Sequence, residues 1–184
     1  MKILSGKLRG RNFYMPAGIR PTQANLRAAI FDLLGHDIGG LTFLELYAGS
    51  GAIGLEALSR GAAEVTMVEK EPKHAQVIRE NCELLSLDLG GEVKVIQADA
   101  LATIKLLALK NKVFDIVFYD PPFGRRLGKK TLKVLGDNDI LYPLGFLIIQ
   151  CDSSERLEIP EKFKVILKRT YGNSDLTLLQ KERK

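Results

Sequence analysis

The residues best equipped for chemistry are Asp120-Pro121-Pro122-Phe123, directly after the apolar run Val113-Phe114-Asp115-Ile116-Val117-Phe118-Tyr119. Two prolines cannot extend a sheet ladder or readily open a helix, so the chain must turn there in an extended form. That turn fixes the Asp120 carboxylate and the Pro121 carbonyl as two acceptors, with Phe123 as a flat apolar surface beside them. Such a set suits a planar group bearing an –NH2, whose amine donates two hydrogen bonds while its ring stacks on Phe123. The bland alternative is a turn that merely ends a strand.

Three more carboxylates, Glu45, Glu69 and Asp99, also close apolar runs. Each is a possible charge partner for a helix N-terminus, but four on one sheet edge point to a binding site. Glu69 follows Gly49 by 20 residues, the spacing at which a carboxylate takes hydrogen bonds from ribose hydroxyls. That spacing also suits a nicotinamide dinucleotide, so it implies a ribose and not a particular cofactor. Gly49 itself lies in Ala48-Gly49-Ser50-Gly51-Ala52-Ile53-Gly54, between the apolar Phe43-Leu44-Glu45-Leu46 and a helix-period stretch through Leu58. Glycines there let the backbone turn with positive φ and approach a ligand closely, and the helix start aims unpaired N–H groups at the loop.

These groups need a scaffold that brings strand ends together. Glu64–Glu69 reads as a strand and Pro72 to Leu87 as a helix with proline in its first turn. Val93 to Gln97 is a strand, 101–109 a helix, Val113 to Tyr119 a strand, 128–136 a basic helix and Gly145 to Cys151 a strand. Phe163–Thr170 and Asp175–Gln180 alternate like an antiparallel pair. Alternating strands and helices specify an α/β fold with a doubly wound, mostly parallel sheet, whose ligands sit beyond the strands' carboxyl ends. Ahead of it, residues 2–14 read as two short strands around Gly6 and Gly10, carrying the aromatic pair Phe13-Tyr14. Thr22 is the expected N-cap of a helix with Leu26, Ala29, Ile30, Leu33 and Leu34 on one face. We divide the chain into a basic hairpin extension, 1–20, and a main domain, 21–184.

Charge is distributed unevenly. Residues 1–31 carry Lys2, Lys7, Arg9, Arg11, Arg20 and Arg27 and no acid; the other 153 residues hold 21 basic and 22 acidic side chains. A second acid-free cluster is Arg125, Arg126, Lys129, Lys130 and Lys133. Two basic patches on a balanced domain point to a polyanion, most simply nucleic acid. The apolar run from Ile140 to Cys151 is too short to span a bilayer, and the N-terminus lacks an apolar signal region. Cys82 and Cys151 lack metal-ligand spacing and read as reduced thiols of a cytoplasmic protein. With only His36 and His74 besides, no metal site is expected.

In order, Glu45-Leu46-Tyr47-Ala48-Gly49-Ser50-Gly51, Glu69, Asp99-Ala100 and Asp120-Pro121-Pro122-Phe123 resemble the motifs of class I S-adenosylmethionine-dependent methyltransferases. More narrowly, four stretches resemble the bacterial small-subunit ribosomal RNA guanine-N2 methyltransferases. They are Ser5-Gly6-Lys7-Leu8-Arg9-Gly10-Arg11, Arg20-Pro21-Thr22 with Arg27 and Phe31, Ala48 through Gly61, and Tyr171-Gly172-Asn173-Ser174. The resemblance runs from about residue 2 to 181, and it departs at Ile19, with few basic residues between 12 and 19. It implies a seven-stranded sheet with antiparallel last strands and S-adenosylmethionine as cofactor, leaving as S-adenosylhomocysteine. The cofactor set it implies is Glu45, Ala48, Gly49, Ser50, Gly51, Glu69, Lys70, Asp99 and Ala100; the catalytic set is Asp120, Pro121, Pro122 and Phe123. Lys7, Arg9, Arg11, Arg20, Thr22, Arg27, Arg125, Arg126, Lys129 and Lys130 are the residues expected on ribosomal RNA or an assembling small subunit. No membrane partner is expected.

The chemistry so implied is methyl transfer to an exocyclic amine, with the base unstacked to reach the pocket. Asp120 and the Pro121 carbonyl would draw the amine toward a pyramidal geometry and bear its developing charge; the product proton leaves late to water, so Asp120 needs no raised pKa. Carbon-5 methylation of a pyrimidine would need a cysteine nucleophile, commonly after proline, yet Cys82 follows Asn81 and Cys151 follows Gln150. Adenine N6 and a glutamine amide offer the same planar –NH2 and stay open by chemistry. A nicotinamide oxidoreductase leaves Asp120-Pro121-Pro122-Phe123 without a role. A non-catalytic RNA-binding protein on this scaffold would bind RNA without a cofactor.

Overall fold

The structure, a computed structural model, describes residues 1–19, 22–35, 38–122 and 126–183. Among the described residues five helices and seven strands follow in the order α1 (Ala24–Leu34), β1 (Thr42–Leu46), α2 (Ala52–Ser59), β2 (Glu64–Glu69), α3 (Pro72–Leu84), β3 (Val93–Gln97), α4 (Ala100–Leu109), β4 (Phe114–Tyr119), α5 (Leu127–Asp137), β5 (Leu141–Asp152), β6 (Phe163–Tyr171) and β7 (Ser174–Lys181). They build one seven-stranded sheet in the order β3-β2-β1-β4-β5-β7-β6. The strands from β3 to β5 pair in parallel, and β7 runs antiparallel to both β5 and β6.

Strand alternation sends side chains into two cores. Phe43, Met67, Phe118 and Ile148 pack under α1, α2 and α3, whereas Leu44, Leu46, Val117, Tyr119 and Ile149 pack under α4 and α5. Burial on both faces explains the continuous apolar runs of the parallel strands. Glu45 sits among the first set, in register with Met67 and Phe118, and is therefore a carboxyl group buried beneath α2.

Several boundaries differ from the sequence reading. Helix α3 stops at Leu84, because Ser86 turns with φ 57° and ends the helical path. Strand β5 begins four residues early, at Leu141, and shifts register between Phe114 and Ile116 of its neighbour; Tyr142 and Leu144 stay exposed there. Thr22 is not the N-cap of α1: Gln23 occupies that position, without a side-chain capping bond.

The two expected N-terminal strands reduce to a single antiparallel bridge between Lys2 and Asn12. Residues between them turn, and α2 holds them. The Glu56 carboxylate accepts from the N–H groups of Leu4 and Ser5 at 2.8 and 2.9 Å, and Lys7 N–H donates to the Ser59 carbonyl. A Cβ on Gly6 would stand 1.7 Å from the Ser59 carbonyl oxygen, so only glycine permits this approach. Ile3 and Phe13 enter the α1–α3 core, which removes Phe13 from any surface and leaves Tyr14 exposed.

Candidate active site

The strand order reverses between β1 and β4, and open α/β sheets take ligands in the crevice beyond the carboxyl ends at such a point. A cleft of about 1370 Å³ occupies it, larger than a typical single-ligand site of roughly 300–1,000 Å³. The turn after β1 forms one wall, the ends of β2 and β3 a second, and Asp120-Pro121-Pro122 with Gln150 and the β6–β7 turn a third. Gly18, Ile19, Thr22 and Gln23 also line it. All four strand-end carboxylates line this one cleft.

They do different work. Glu69 Oε2 accepts from Gly49 N–H at 2.7 Å and Oε1 from Glu71 N–H at 2.8 Å. The end of β2 is thereby tied to the glycine turn, and each oxygen keeps a further lone pair for a ligand. Asp99 is the N-cap of α4: its Oδ1 accepts from the N–H groups of Leu101 and Ala102, and its Oδ2 lies 3.3 Å from Lys70 Nζ. Burial works to raise its pKa, but the Ala102 N–H, Lys70 and the Leu101 N–H outweigh it and hold the carboxyl below its ordinary value.

Glu45 accepts from Gly54 N–H at 2.8 Å, and so caps α2, whose N-cap residue is a glycine with no side chain. Burial pushes its pKa up to about 8 despite the Gly54 and Ile53 N–H groups, with Asp120 and Glu69 adding like charge. Asp120 is half-buried, and desolvation raises its carboxyl to about 7. The mechanism asks for no raised pKa at Asp120; the shift arises because the walls that shape the cleft draw the carboxylate partly out of water.

The glycines divide between turn and packing. Gly49 has φ 56°, and a Cβ there would approach Ile19 Cδ1 at 3.3 Å, so Ile19 crosses directly over the turn. Gly51 does not line the cleft. With φ 74° it faces Met67 Sδ and Ile78, which a Cβ would meet at 2.9 and 3.2 Å. Gly54 likewise leaves room for Met67 Sδ and Glu45 Oε2, at 2.7 and 2.8 Å from a Cβ. Gly51 is thus a packing glycine, set back from the cleft wall. Ala48, Ser50 and Ala100 line the cleft and are buried, while Lys70 stays exposed at its rim.

Among the basic residues, Arg9, Arg11, Arg126 and Lys130 are exposed. Lys7 is exposed and 3.4 Å from Glu92, and Lys129 pairs with Glu158. Arg27 corrects the sequence reading. It is 2% exposed, its guanidinium donates to the Lys2 carbonyl and lies 6.0 Å from the Phe13 ring. It braces the N-terminal segment and has no surface to offer a phosphate. Arg20, Phe123 and Arg125 lie outside the described residues.

Both cysteines are buried and free, their thiols pushed up to about 12 by burial, as inert thiols require. Among the described residues no group of three His, Cys, Asp or Glu side chains is placed to hold a metal, and no helix is long and apolar enough to cross a membrane.

Comparison with known proteins agrees with this architecture. Residues 1–180 match the family model Cons_hypoth95, described as conserved hypothetical protein 95. The chain is 32% identical over 185 residues to ribosomal RNA small subunit methyltransferase D of Escherichia coli (strain K12), across 99% of this chain and 90% of that one. It belongs to the methyltransferase D family. A Haemophilus influenzae protein of the same description is 30% identical over 182 residues, covering 98% and 93% of the two chains. The solved structure of the Escherichia coli protein yhhF superposes with a TM-score of 0.88 at 31% identity, over 100% of this chain and 99% of that one.

Within this member of the methyltransferase D family, three features of the site escaped the sequence reading. Glu56 is fully buried and anchors the N-terminal segment, but in sequence it is one more acid on an amphipathic helix. Ile19 appeared only as a departure from the motif. Gln150 lines the cleft at 6% exposure, and in sequence it was merely the residue before Cys151.

Proposed function

We propose that this protein transfers a methyl group from S-adenosylmethionine to the exocyclic N2 amine of one guanine in small-subunit ribosomal RNA. Methylation of ribosomal RNA is the coarse activity that its family carries; the guanine amine, the cofactor contacts and the RNA-facing residues are our reading. The observation that carries it is the placement of Asp120 and Pro121 across one cleft from the Gly49 turn and Glu69.

The residues suit that cofactor. Glu69 retains acceptor capacity beside the Gly49 backbone, as a pair of ribose hydroxyls needs, and Asp99 offers a carboxylate oxygen toward an adenine amine. The spare volume of the cleft admits a flipped base as well. S-adenosylmethionine, when bound, supplies a methyl carbon made electrophilic by its sulfonium. The chain's own task is alignment and charge. Asp120 and the Pro121 carbonyl accept the two amine N–H groups and favour the positive charge that grows on the nitrogen. The partial withdrawal of Asp120 from water strengthens that interaction. Exposed Lys7, Arg9, Arg11, Arg126 and Lys130 then serve the phosphates of RNA or of an assembling subunit.

The test is incubation with labelled S-adenosylmethionine and either total RNA or ribosomal particles, followed by nucleoside analysis. N2-methylguanosine is expected. N6-methyladenosine would replace this reading with the adenine alternative, and RNA binding without label incorporation would leave a non-catalytic RNA-binding protein.

A further inference from the structure

Asp120 follows directly on β4, and Gln150 lies on β5, its parallel neighbour. Tyr119 and Ile149 are the last partners of the parallel β4–β5 ladder, so Asp120 and Gln150 each follow directly on a paired residue. Tyr119 and Ile149 point into the α4–α5 core; alternation turns Gln150 to the opposite face, where Phe118 and Ile148 pack. Both Asp120 and Gln150 line the cleft.

Gln150 carries an anomaly. Its side chain is 6% exposed, and its Oε1 is shut away from water without a hydrogen-bond partner among the described residues. A buried acceptor left unpaired is costly, and a strand residue at that position has no need to be polar. A buried amide that lines the same cleft as Asp120 is explained if a ligand supplies the missing donor.

We infer that Gln150 determines specificity by accepting a hydrogen bond from N1–H of the target guanine, a conclusion that rests on the guanine-N2 reading above. On the guanine ring, N1–H is the donor adjacent to the exocyclic amine that Asp120 and Pro121 hold. The far end of the amide, Nε2, complements O6 one atom further along. Adenine bound through its N6 amine offers a lone pair at N1 instead, and two acceptors then face each other. Asp120 and Pro121 accept any planar –NH2; Gln150 supplies the discrimination they lack. Its effect follows the general pattern that a site built for a substrate N–H rejects an analogue without one, because the site's own polar group stays buried and unpaired.

The experiment compares small-subunit ribosomal RNA carrying guanine at the position methylated by the wild type with the same RNA carrying 2-aminopurine there, introduced by splinted ligation. 2-Aminopurine keeps the exocyclic amine but has an unprotonated N1 and no O6. Wild-type enzyme should prefer guanine in kcat/KM by roughly 100-fold or more. Gln150→Met, which keeps length and removes the acceptor, should lower that preference at least about tenfold, with S-adenosylmethionine affinity unchanged by calorimetry. Gln150→Glu keeps an acceptor and should keep the preference even where its absolute rate falls. A Met variant with the full wild-type preference overturns the inference while leaving the guanine reading intact; so does a Met variant that no longer binds cofactor, since Gln150 would then belong to the fold. A wild type that yields no N2-methylguanosine from unmodified RNA removes both.

Discussion

Raising the pH from about 6 to about 8 should accelerate methylation about tenfold, and Asp120 should be the reason. An exposed aspartate is ionised throughout that range and would give a flat profile. Here burial moves the carboxyl from 3.8 to about 7, which corresponds to about 4 kcal/mol of preference for the neutral acid. The neutral acid keeps a carbonyl acceptor but has lost the negative charge that offsets the positive charge growing on the attacking nitrogen, so the carboxylate is the active form. With a midpoint near 7, roughly one-tenth of the enzyme carries the carboxylate at about pH 6 and nine-tenths at about pH 8. The assay is kcat/KM for RNA at saturating S-adenosylmethionine, because that ratio reports ionisation in the free enzyme. Asp120→Asn cannot titrate and should be slow and flat over the same range. Glu45, raised to about 8 with Asp120 among its causes, should broaden the wild-type rise into the form of a coupled pair. A flat wild-type profile would refute this account, as would an Asn variant that keeps the wild-type slope.

The same shift has a consequence for stability. A carboxyl raised on folding contributes stability that is complete below its unfolded value and is lost as pH rises through about 7; thermal denaturation should therefore find Asp120→Asn more stable than wild type by about 1–3 kcal/mol at pH 8 and little changed near pH 4. Glu69→Ala removes both the ribose acceptor and the tie to Gly49 N–H, and calorimetry should show S-adenosylmethionine affinity weakened by ~2–4 kcal/mol. Gly6→Ala forces a methyl group against the Ser59 carbonyl and should detach the N-terminal segment, so RNA affinity falls while cofactor affinity holds. Neutralising Arg9 and Arg11 together should flatten the dependence of log affinity on log salt by about 2 units; an unchanged slope would give the segment another task.

What the sequence disclosed and what it hid separate along a physical line. Parallel strands buried on both faces leave uninterrupted apolar runs, and each helix between them carries its own period, so β2 and β3 were legible to the residue and the other elements to within a few residues. The strand ends were legible for the same reason, and they carry Glu45, Glu69, Asp99 and Asp120 into one cleft. The N-terminal segment was not. Its backbone donors go to Glu56 and Ser59, some 50 residues away, and a hydrogen bond across that separation leaves no period in either stretch. Arg27 misled for a related reason. A cation within an acid-free stretch reads as exposed, but its burial beside Phe13 and the Lys2 carbonyl depends on where the segment folds back.

Gln150 marks the remaining limit. Nothing in Ile148-Ile149-Gln150-Cys151 separates an amide that reads a ligand from one that ends a strand. Its significance arises from three facts that exist only in the fold: the parallel register that ends next to it at Tyr119 and Ile149, the turn of its side chain away from the α4–α5 core, and the lack of a donor for Oε1 among the described residues. On our reading the exocyclic amine is selected by Asp120 and Pro121, just after β4, where the proline pair makes them legible in the sequence. The ring that carries the amine is selected, on our inference, by a neighbouring strand whose contribution depends on pairing. Reaction type and substrate identity are thus written in different places, one in a local motif and the other in the sheet.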